Sequence, residues 1–217
     1  MRYLFNEIGL TISEETVTQY WAHYREEVQA AWAISHPAKS NSIPIGLYGD
    51  ACKIRQGEKM IGFFMNLPLF RPKSIRCSRY LLCAVQEELM YKRITMDTIW
   101  RYIVWRVNLL LDGKYPETDI NGDLLQGPEL HCAGQEIVPG KTFALSELRG
   151  DWVWFKDCFS FKSSWKGGTK YPVCFRCQAR AIEPYLYYKV QRDSAVWTTE
   201  YDLAGFLVDQ MPQQPSY

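Results

Sequence analysis

The chain has 217 residues, of which 47% are hydrophobic and 15% aromatic, which suits one folded domain and excludes a disordered protein. Its formal net charge is +1, so the chain does not have the excess of basic residues that is usual in a dedicated DNA-binding domain. No run approaches the roughly 18 apolar residues of a membrane span, and the acidic start does not fit a signal peptide. The seven cysteines are an odd number, spread without the density of a secreted disulfide scaffold, so the chain is expected to be intracellular with reduced thiols. No membrane partner is expected.

The first predicted element is a helix from about Glu14 to Ser35. Its aromatic and aliphatic residues recur at three- and four-residue spacing, which is typical of an amphipathic helix. Thr11 and Glu14 form a T-x-x-E capping box, or Ser13 caps the helix directly. The helix is expected to end at His36-Pro37, because the residue before a proline leaves the α region.

The next residues predict a β-hairpin and a third strand. The strands of the hairpin cover residues 43–54 and 59–70, and residues 55–58 form the turn between them. The third strand covers residues 77–87. It is apolar on both faces, which favours a central position in the sheet.

The second half of the chain begins with a predicted helix over about residues 96–111, with Thr95 as its cap and Gly113 as its end. Residues 114–140 are rich in Gly, Pro and Asp and predict a long connection. A fourth strand is expected at Phe143–Leu148. After a turn at residues 149–151, a short helix follows at residues 152–159.

This order of elements predicts an α/β or α+β fold. It matches the opening of an RNase H-like fold, in which three antiparallel strands precede a helix and a parallel strand. The expected organisation is an N-terminal helical segment (1–42), an RNase H-like core (43–165) and a cysteine-containing insertion or tail (166–217).

Two aspartates are the first candidates for chemistry. Asp50 follows the uncharged strand-like run 43–49, and its position alone favours a turn residue over a metal ligand or acid–base group. Asp151 follows the fourth predicted strand, where it also fits an N-cap. Two aspartates at the ends of neighbouring strands suit a site that cleaves phosphodiesters with two Mg²⁺ or Mn²⁺ ions. Weaker acidic candidates are Glu147, Asp157 and Glu183.

A third feature is the pair Cys174-x-x-Cys177, which fits half of a zinc site, a redox pair or two buried thiols. A tetrahedral zinc site needs two further ligands, and no Cys or His follows Cys177. The upstream candidates are His131, Cys132 and Cys158. A single CxxC is therefore a weak indication of zinc.

Four basic residues lie between the second and third predicted strands. They fit a track for nucleic-acid phosphates, but a solvated edge of the hairpin explains them as well and is favoured. These residues are Arg71, Lys73, Arg76 and Arg79.

Three short motifs together resemble Plavaka-like and Kyakuja–Dileera–Zisupton transposases. The run IPIGLYGD, which ends at Asp50, resembles the block around their first catalytic aspartate, and the basic segment RPKSIR follows as in those families. The run LRGDW around Asp151 resembles their second catalytic block. The run CFRC at 174–177 resembles the cysteine pair that opens their zinc-binding insertion. The similarity spans roughly residues 20–199 and is carried by the order and spacing of these motifs.

The resemblance implies a DDE-type nuclease in which Asp50 and Asp151 bind two divalent metal ions, with DNA as partner and the nucleus as location. Such an enzyme nicks transposon ends and joins the freed 3′ hydroxyl to target DNA by in-line transfer. A third acidic residue is expected well beyond the cysteine pair. Asp202 and Asp209 come too early for that role, and downstream zinc ligands are missing. The resemblance therefore predicts a truncated or decayed copy whose activity is in doubt.

Two other functions stay open. One is a non-catalytic interaction module that contacts a partner through exposed Trp or Tyr side chains. It predicts no stabilisation by metal ions and tolerance of Asp50→Asn. The other is a small zinc-binding module in which Cys174 and Cys177 are needed for folding, so that chelation unfolds its C-terminal half.

Overall fold

The computed structural model of the chain describes residues 1–28, 35–55, 57–70, 72, 74 and 78–159. These residues form an α+β fold with one mixed four-stranded sheet of order β3-β2-β1-β4. The strands are β1 (Ile43–Arg55), β2 (Glu58–Asn66), β3 (Arg79–Gln86) and β4 (Phe143–Gly150). The helices are α1 (Glu14–Val28), α2 (Lys92–Asp112) and α3 (Trp152–Phe159). Residues 1–149 and 150–217 form two compact units, and each is described by itself.

The predicted hairpin is confirmed. β1 and β2 pair antiparallel in a register that places Leu47 opposite Met65 and Asp50 opposite Gly62. The turn between them uses Gly57 at a φ of 91°, a conformation that glycine adopts without strain. β2 ends at Asn66 rather than at residue 70, because a proline soon follows and cannot donate to the ladder.

β3 forms, but its predicted central position is wrong. In the sheet of the described residues it is an edge strand, paired antiparallel with β2. Its apolar residues are therefore not covered on both faces: Leu81 is 60% exposed and Leu82 is 45% exposed. Apolar composition alone predicted burial, whereas position in a sheet is decided by pairing across the whole chain.

β4 is parallel to β1, as the order of elements predicts. The amide of Ile43 donates to the carbonyl of Thr142 at 2.8 Å, and the Ser146 hydroxyl donates to the carbonyl of Ile45 at 3.2 Å. The contacts advance in the same direction along both strands, which is the mark of a parallel pair. β4 continues to Gly150, so the turn predicted at residues 149–151 is wrong at its start.

Helix α1 begins at Glu14 as predicted, and Ser13 is its cap. The Ser13 hydroxyl accepts a hydrogen bond from the amide of Thr16 at 3.2 Å, which satisfies one of the amides left open at a helix start. On its buried stripe lie Val17, 2% exposed, and Trp21, which is fully buried. Residues 29–34 lie outside the described residues, and Ser35, where the helix was predicted to end, lies in a turn.

Helix α2 begins at Lys92, four residues before the predicted start, so Thr95 is not its cap. The Thr95 hydroxyl instead accepts a hydrogen bond from the Tyr91 amide at 3.0 Å, from within the first turn. The predicted end is confirmed: Gly113 has a φ of 76°, and its amide donates to the carbonyl of Leu109 at 2.9 Å. None of the helices in the described ranges is long and apolar enough to cross a membrane.

One face of the sheet is covered by α2. Ile103 is buried, and the Trp100 ring meets the Phe63 ring of β2 edge-on, with centroids 5.7 Å apart. Side chains alternate between the two faces of a strand, so Leu47 on β1 shares this covered face. The neighbouring β1 residues therefore point to the opposite face of the sheet.

Candidate functional site

Asp50 lies inside β1 on the face of the sheet opposite to α2. Five residues of the strand follow it, so the turn interpretation is wrong, and so is its placement at the end of a strand. It is half-buried, and its ladder partner is Gly62, which offers no side chain across the strand. A β-carbon at Gly62 would come within 2.6 Å of the Phe64 ring, which leans over this position. The Phe64 ring therefore fills the space that a side chain at Gly62, across the ladder from Asp50, would occupy.

Tyr48 orients the Asp50 carboxylate. Its hydroxyl donates a hydrogen bond to Oδ2 of Asp50 at 2.9 Å, between two side chains that share one face of β1. The guanidinium of Arg79, at the start of β3, lies over the Tyr48 ring 4.0 Å from its centroid. Burial, and then the hydrogen bond and negative charge of Asp50, raise the pKa of Tyr48, so its hydroxyl stays a donor at neutral pH.

A second group of polar side chains lies on the same face of the sheet, beside Gly46, four residues before Asp50 on β1. The side-chain amide of Asn66 donates to Oε1 of Glu147 at 2.9 Å, and Oε2 of Glu147 accepts from the guanidinium of Arg149. A β-carbon at Gly46 would lie 2.5 Å from both Asn66 Oδ1 and Glu147 Oε1. The absence of a side chain at Gly46 therefore makes room for this network between β1, β2 and β4.

Glu147 and Asp50 do not share one metal ion. Glu147 lies beside Gly46, which is four residues from Asp50 along β1, or roughly 13 Å at 3.3 Å per residue. Carboxylates of a two-metal site hold ions only about 4 Å apart. Both carboxylate oxygens of Glu147 also have hydrogen-bonding partners in Asn66 and Arg149. Glu147 therefore has a structural role in holding β2 and β4 against β1.

A pocket of about 330 Å³ opens beside this face of the sheet. Its walls combine aromatic rings and prolines with two guanidinium groups from different strands. Of the four basic residues for which a solvated hairpin edge was favoured over a phosphate track, Arg79 is among these walls, while Arg71, Lys73 and Arg76 lie outside the described residues. The lining residues are Tyr48, Asn66, Leu67, Pro68, Phe70, Pro72, Ser78, Arg79 and Arg149.

Asp151 caps helix α3 in the second unit. Its Oδ1 accepts a hydrogen bond from the amide of Trp154 at 2.6 Å, and its carbonyl accepts from the amide of Phe155 at 3.0 Å. The N-cap interpretation is therefore confirmed. A role of Asp151 in metal binding stays a prediction.

Only some of the predicted metal ligands lie among the described residues. Within the described residues, no group of three or more His, Cys, Asp or Glu side chains is placed to hold a metal ion. His131 and Cys132 end a 3₁₀ helix, and Cys158, on α3, is buried. The remaining candidates lie outside the described residues: Cys174, Cys177, Glu183, Asp202 and Asp209.

Three residues of this site were not singled out from the sequence: Tyr48, Asn66 and Arg149. Tyr48 could have been found, because it precedes Asp50 by two positions and a strand places such residues on one face. Asn66 and Arg149 required the register of β2 and β4 against β1, which the sequence does not state.

A scan against models of protein families, a search of curated proteins and a search of solved structures each find no match to this chain.

Proposed function

We propose that this chain is a truncated or decayed copy of a metal-dependent nuclease domain of the DDE-transposase type, built on an RNase H-like sheet, with DNA as its partner and the nucleus as its location. The observation that carries the proposal is the position of Asp50. This carboxylate lies in β1, an inner strand of a β3-β2-β1-β4 sheet whose first three strands are antiparallel. The resemblance to transposases implies the same strand arrangement and the same first acidic residue.

Asp151 is the proposed second ligand. It directly follows β4, the strand that lies parallel beside β1. Its position after a strand of the sheet matches the second acidic block of the transposases that the sequence resembles.

The donor chemistry fits Mg²⁺ or Mn²⁺. These ions take oxygen ligands and are held by one or two carboxylates, with water and substrate phosphate oxygens completing the shell. Asp50 and Asp151 would supply two of the three acidic ligands that the resemblance implies, and within the described residues no group of three or more His, Cys, Asp or Glu side chains is placed to hold a metal ion. When bound, such ions stabilise the attacking and leaving oxygens of a phosphodiester displacement.

The protein's own contribution begins with Tyr48. Its hydrogen bond to Oδ2 fixes the orientation of Asp50, as partners of metal ligands commonly do. Glu147, Asn66 and Arg149 brace β1 between β2 and β4, and so hold the strand that carries Asp50.

The test is cleavage of labelled DNA by the purified chain with Mn²⁺. Nicking that needs Mn²⁺ and is lost in Asp50→Asn would support the proposal. The matched control is Asp97→Asn, which removes an exposed carboxylate on α2 and should leave activity unchanged. Retained Mn²⁺ binding through Asp50 without cleavage would identify a decayed nuclease. Absence of both metal binding and cleavage would refute the proposal.

A second candidate, a non-catalytic interaction module, is favoured by one observation. Large apolar side chains are exposed from β3 to the start of α2: Leu81 60%, Leu89 70%, Tyr91 82% and Ile94 73%. Exposed apolar groups in one stretch are typical of contact surfaces. This candidate predicts that Mn²⁺ does not change the melting temperature and that Asp50→Asn is tolerated.

A further inference from the structure

Two arginines from different strands line the pocket beside Tyr48. Arg79 opens β3 and Arg149 lies near the end of β4, while β2 and β1 lie between these strands. The volume of about 330 Å³ is at the lower end of the range for small-molecule sites. The pocket therefore has room for one nucleotide-sized group between two guanidiniums.

Both guanidiniums are held in place by neighbouring side chains. Arg79 lies 4.0 Å from the centroid of the Tyr48 ring, and Tyr48 is in turn hydrogen-bonded to Asp50. Arg149 pairs with Glu147, whose second oxygen accepts from Asn66. Each guanidinium carries five N–H donors, so one such contact does not exhaust its capacity to bind an oxyanion.

The remaining walls suit a flat, partly apolar group. Tyr48 and Phe70 contribute aromatic rings, and Pro68 contributes an apolar surface beside them. A nucleobase stacks on such side chains whatever its identity, because every base has a π face. An arginine fork matches the oxygens of a phosphate. The pocket therefore presents one kind of wall for each half of a nucleotide.

Charge alone does not select an anion here. Asp50 and Glu147 offset the two arginines, so recognition depends on directed hydrogen bonds and on stacking. Because Asp50 offsets part of the positive charge, we predict that neutralising it strengthens the binding of a phosphate when divalent metal is removed.

We infer that the pocket between Arg79 and Arg149 binds one nucleotide of an unpaired nucleic-acid strand, its phosphate on the guanidiniums and its base against the aromatic wall. An unpaired strand is favoured over a duplex, because paired bases are stacked on each other and do not offer a free face. The inference rests on the proposed function for the idea that this strand lies next to Asp50, but the binding itself needs no metal and no cleavage.

The experiment is fluorescence anisotropy with a short labelled oligothymidylate in EDTA, competed by unlabelled thymidine 5′-monophosphate or by inorganic phosphate. Arg79→Gln and Arg149→Gln should each weaken binding about tenfold, the loss of one charge-assisted contact. Phe70→Ala should also weaken it. The control Arg93→Gln, on the exposed surface of α2, should have no effect. Circular dichroism on each variant checks that it is folded.

The outcomes separate the pocket from the nuclease. Binding in EDTA that needs both arginines and is kept or strengthened in Asp50→Asn supports the pocket, even where no cleavage occurs. Equal binding by Arg79→Gln, Arg149→Gln and Arg93→Gln overturns it, even where Mn²⁺-dependent cleavage is found. Competition by the mononucleotide but not by phosphate assigns the base a role, and equal competition by phosphate contradicts the aromatic wall as part of the site.

Discussion

The hydroxyl of Tyr48 donates a 2.9 Å hydrogen bond to Oδ2 of Asp50, two residues further along the same strand. Alternation along β1 places both side chains on the sheet face that α2 does not cover. A half-buried carboxylate in a strand needs such a partner, because a buried charge without hydrogen bonds is costly. The hydrogen bond from Tyr48 therefore makes an aspartate tolerable at a position inside strand β1.

Replacing Tyr48 tests this pairing. Tyr48→Phe removes the donor and keeps the ring under Arg79, so we expect a loss of about 1 kcal/mol in the free energy of unfolding, measured by urea titration. The effect should shrink in an Asp50→Ala background, because alanine removes the acceptor of this hydrogen bond. Additive losses in the double variant would show that the hydrogen bond contributes nothing.

Gly46→Ala tests the close approach of β1 to Asn66 and Glu147. The new β-carbon would lie 2.5 Å from an oxygen of each side chain, so both must move. We expect destabilisation of roughly 1–3 kcal/mol in chemical denaturation, the usual cost of overpacking. Combining it with Asn66→Ala should recover part of this loss. Wild-type stability of Gly46→Ala would mean that the network yields without cost.

Two substitutions at Asp151 separate its capping role from a role in metal binding. Asn accepts the same hydrogen bond from the Trp154 amide, whereas Ala does not. Asp151→Ala should lower stability by about 1 kcal/mol in the absence of metal, and Asp151→Asn should not. Equal losses in both variants would show that the negative charge, rather than the hydrogen bond, matters at this helix start.

Alkaline pH tests the contact between α1 and β4. The Tyr24 hydroxyl donates to the carbonyl of Ser146 at 3.0 Å, and burial is the main cause that raises the pKa of Tyr24 to about 12. The folded state therefore holds this proton more tightly than the unfolded state, whose tyrosine titrates near 10. The stabilisation is complete below pH 10 and is lost as the pH rises from about 10 to 12.

Tyr24→Phe should flatten this part of the stability–pH profile, measured by urea unfolding at several alkaline pH values. The control is Tyr91→Phe, which alters a tyrosine that is 82% exposed. An unchanged slope in Tyr24→Phe would assign the alkaline loss to other groups.

Local signals predicted most elements of the fold correctly. The Ser13 cap, the Gly57 turn and the Gly113 helix end each follow from the chemistry of one or two residues, and all three are present. The errors concern position rather than type. β3 was predicted to be central because both of its faces carry apolar residues, such as Leu81 and Leu82. Among the described residues it pairs only with β2, which leaves it at the edge of the sheet.

The site was less predictable for the same reason. The sequence identified Asp50 but favoured a turn for it, since Asp is a common turn former and follows Gly49, and since the strand partner at Gly62 cannot be recognised from the neighbouring residues. The contact of Asn66 with Glu147 joins residues 81 positions apart. Such a contact depends on the registers of two strand pairs, which a single sequence does not specify.

The most direct test of the proposed metal site is the melting temperature of the chain with increasing Mn²⁺, for the wild type, Asp50→Asn and Asp151→Asn. A ligand that binds only the folded state raises stability by RT ln(1 + [L]/Kd), about 2.7 kcal/mol at one hundred times Kd. We predict a concentration-dependent rise in the wild type that is lost in both variants, while Asp97→Asn behaves as the wild type. An equal rise in all four proteins, or no rise in any, would contradict metal binding by Asp50 and Asp151.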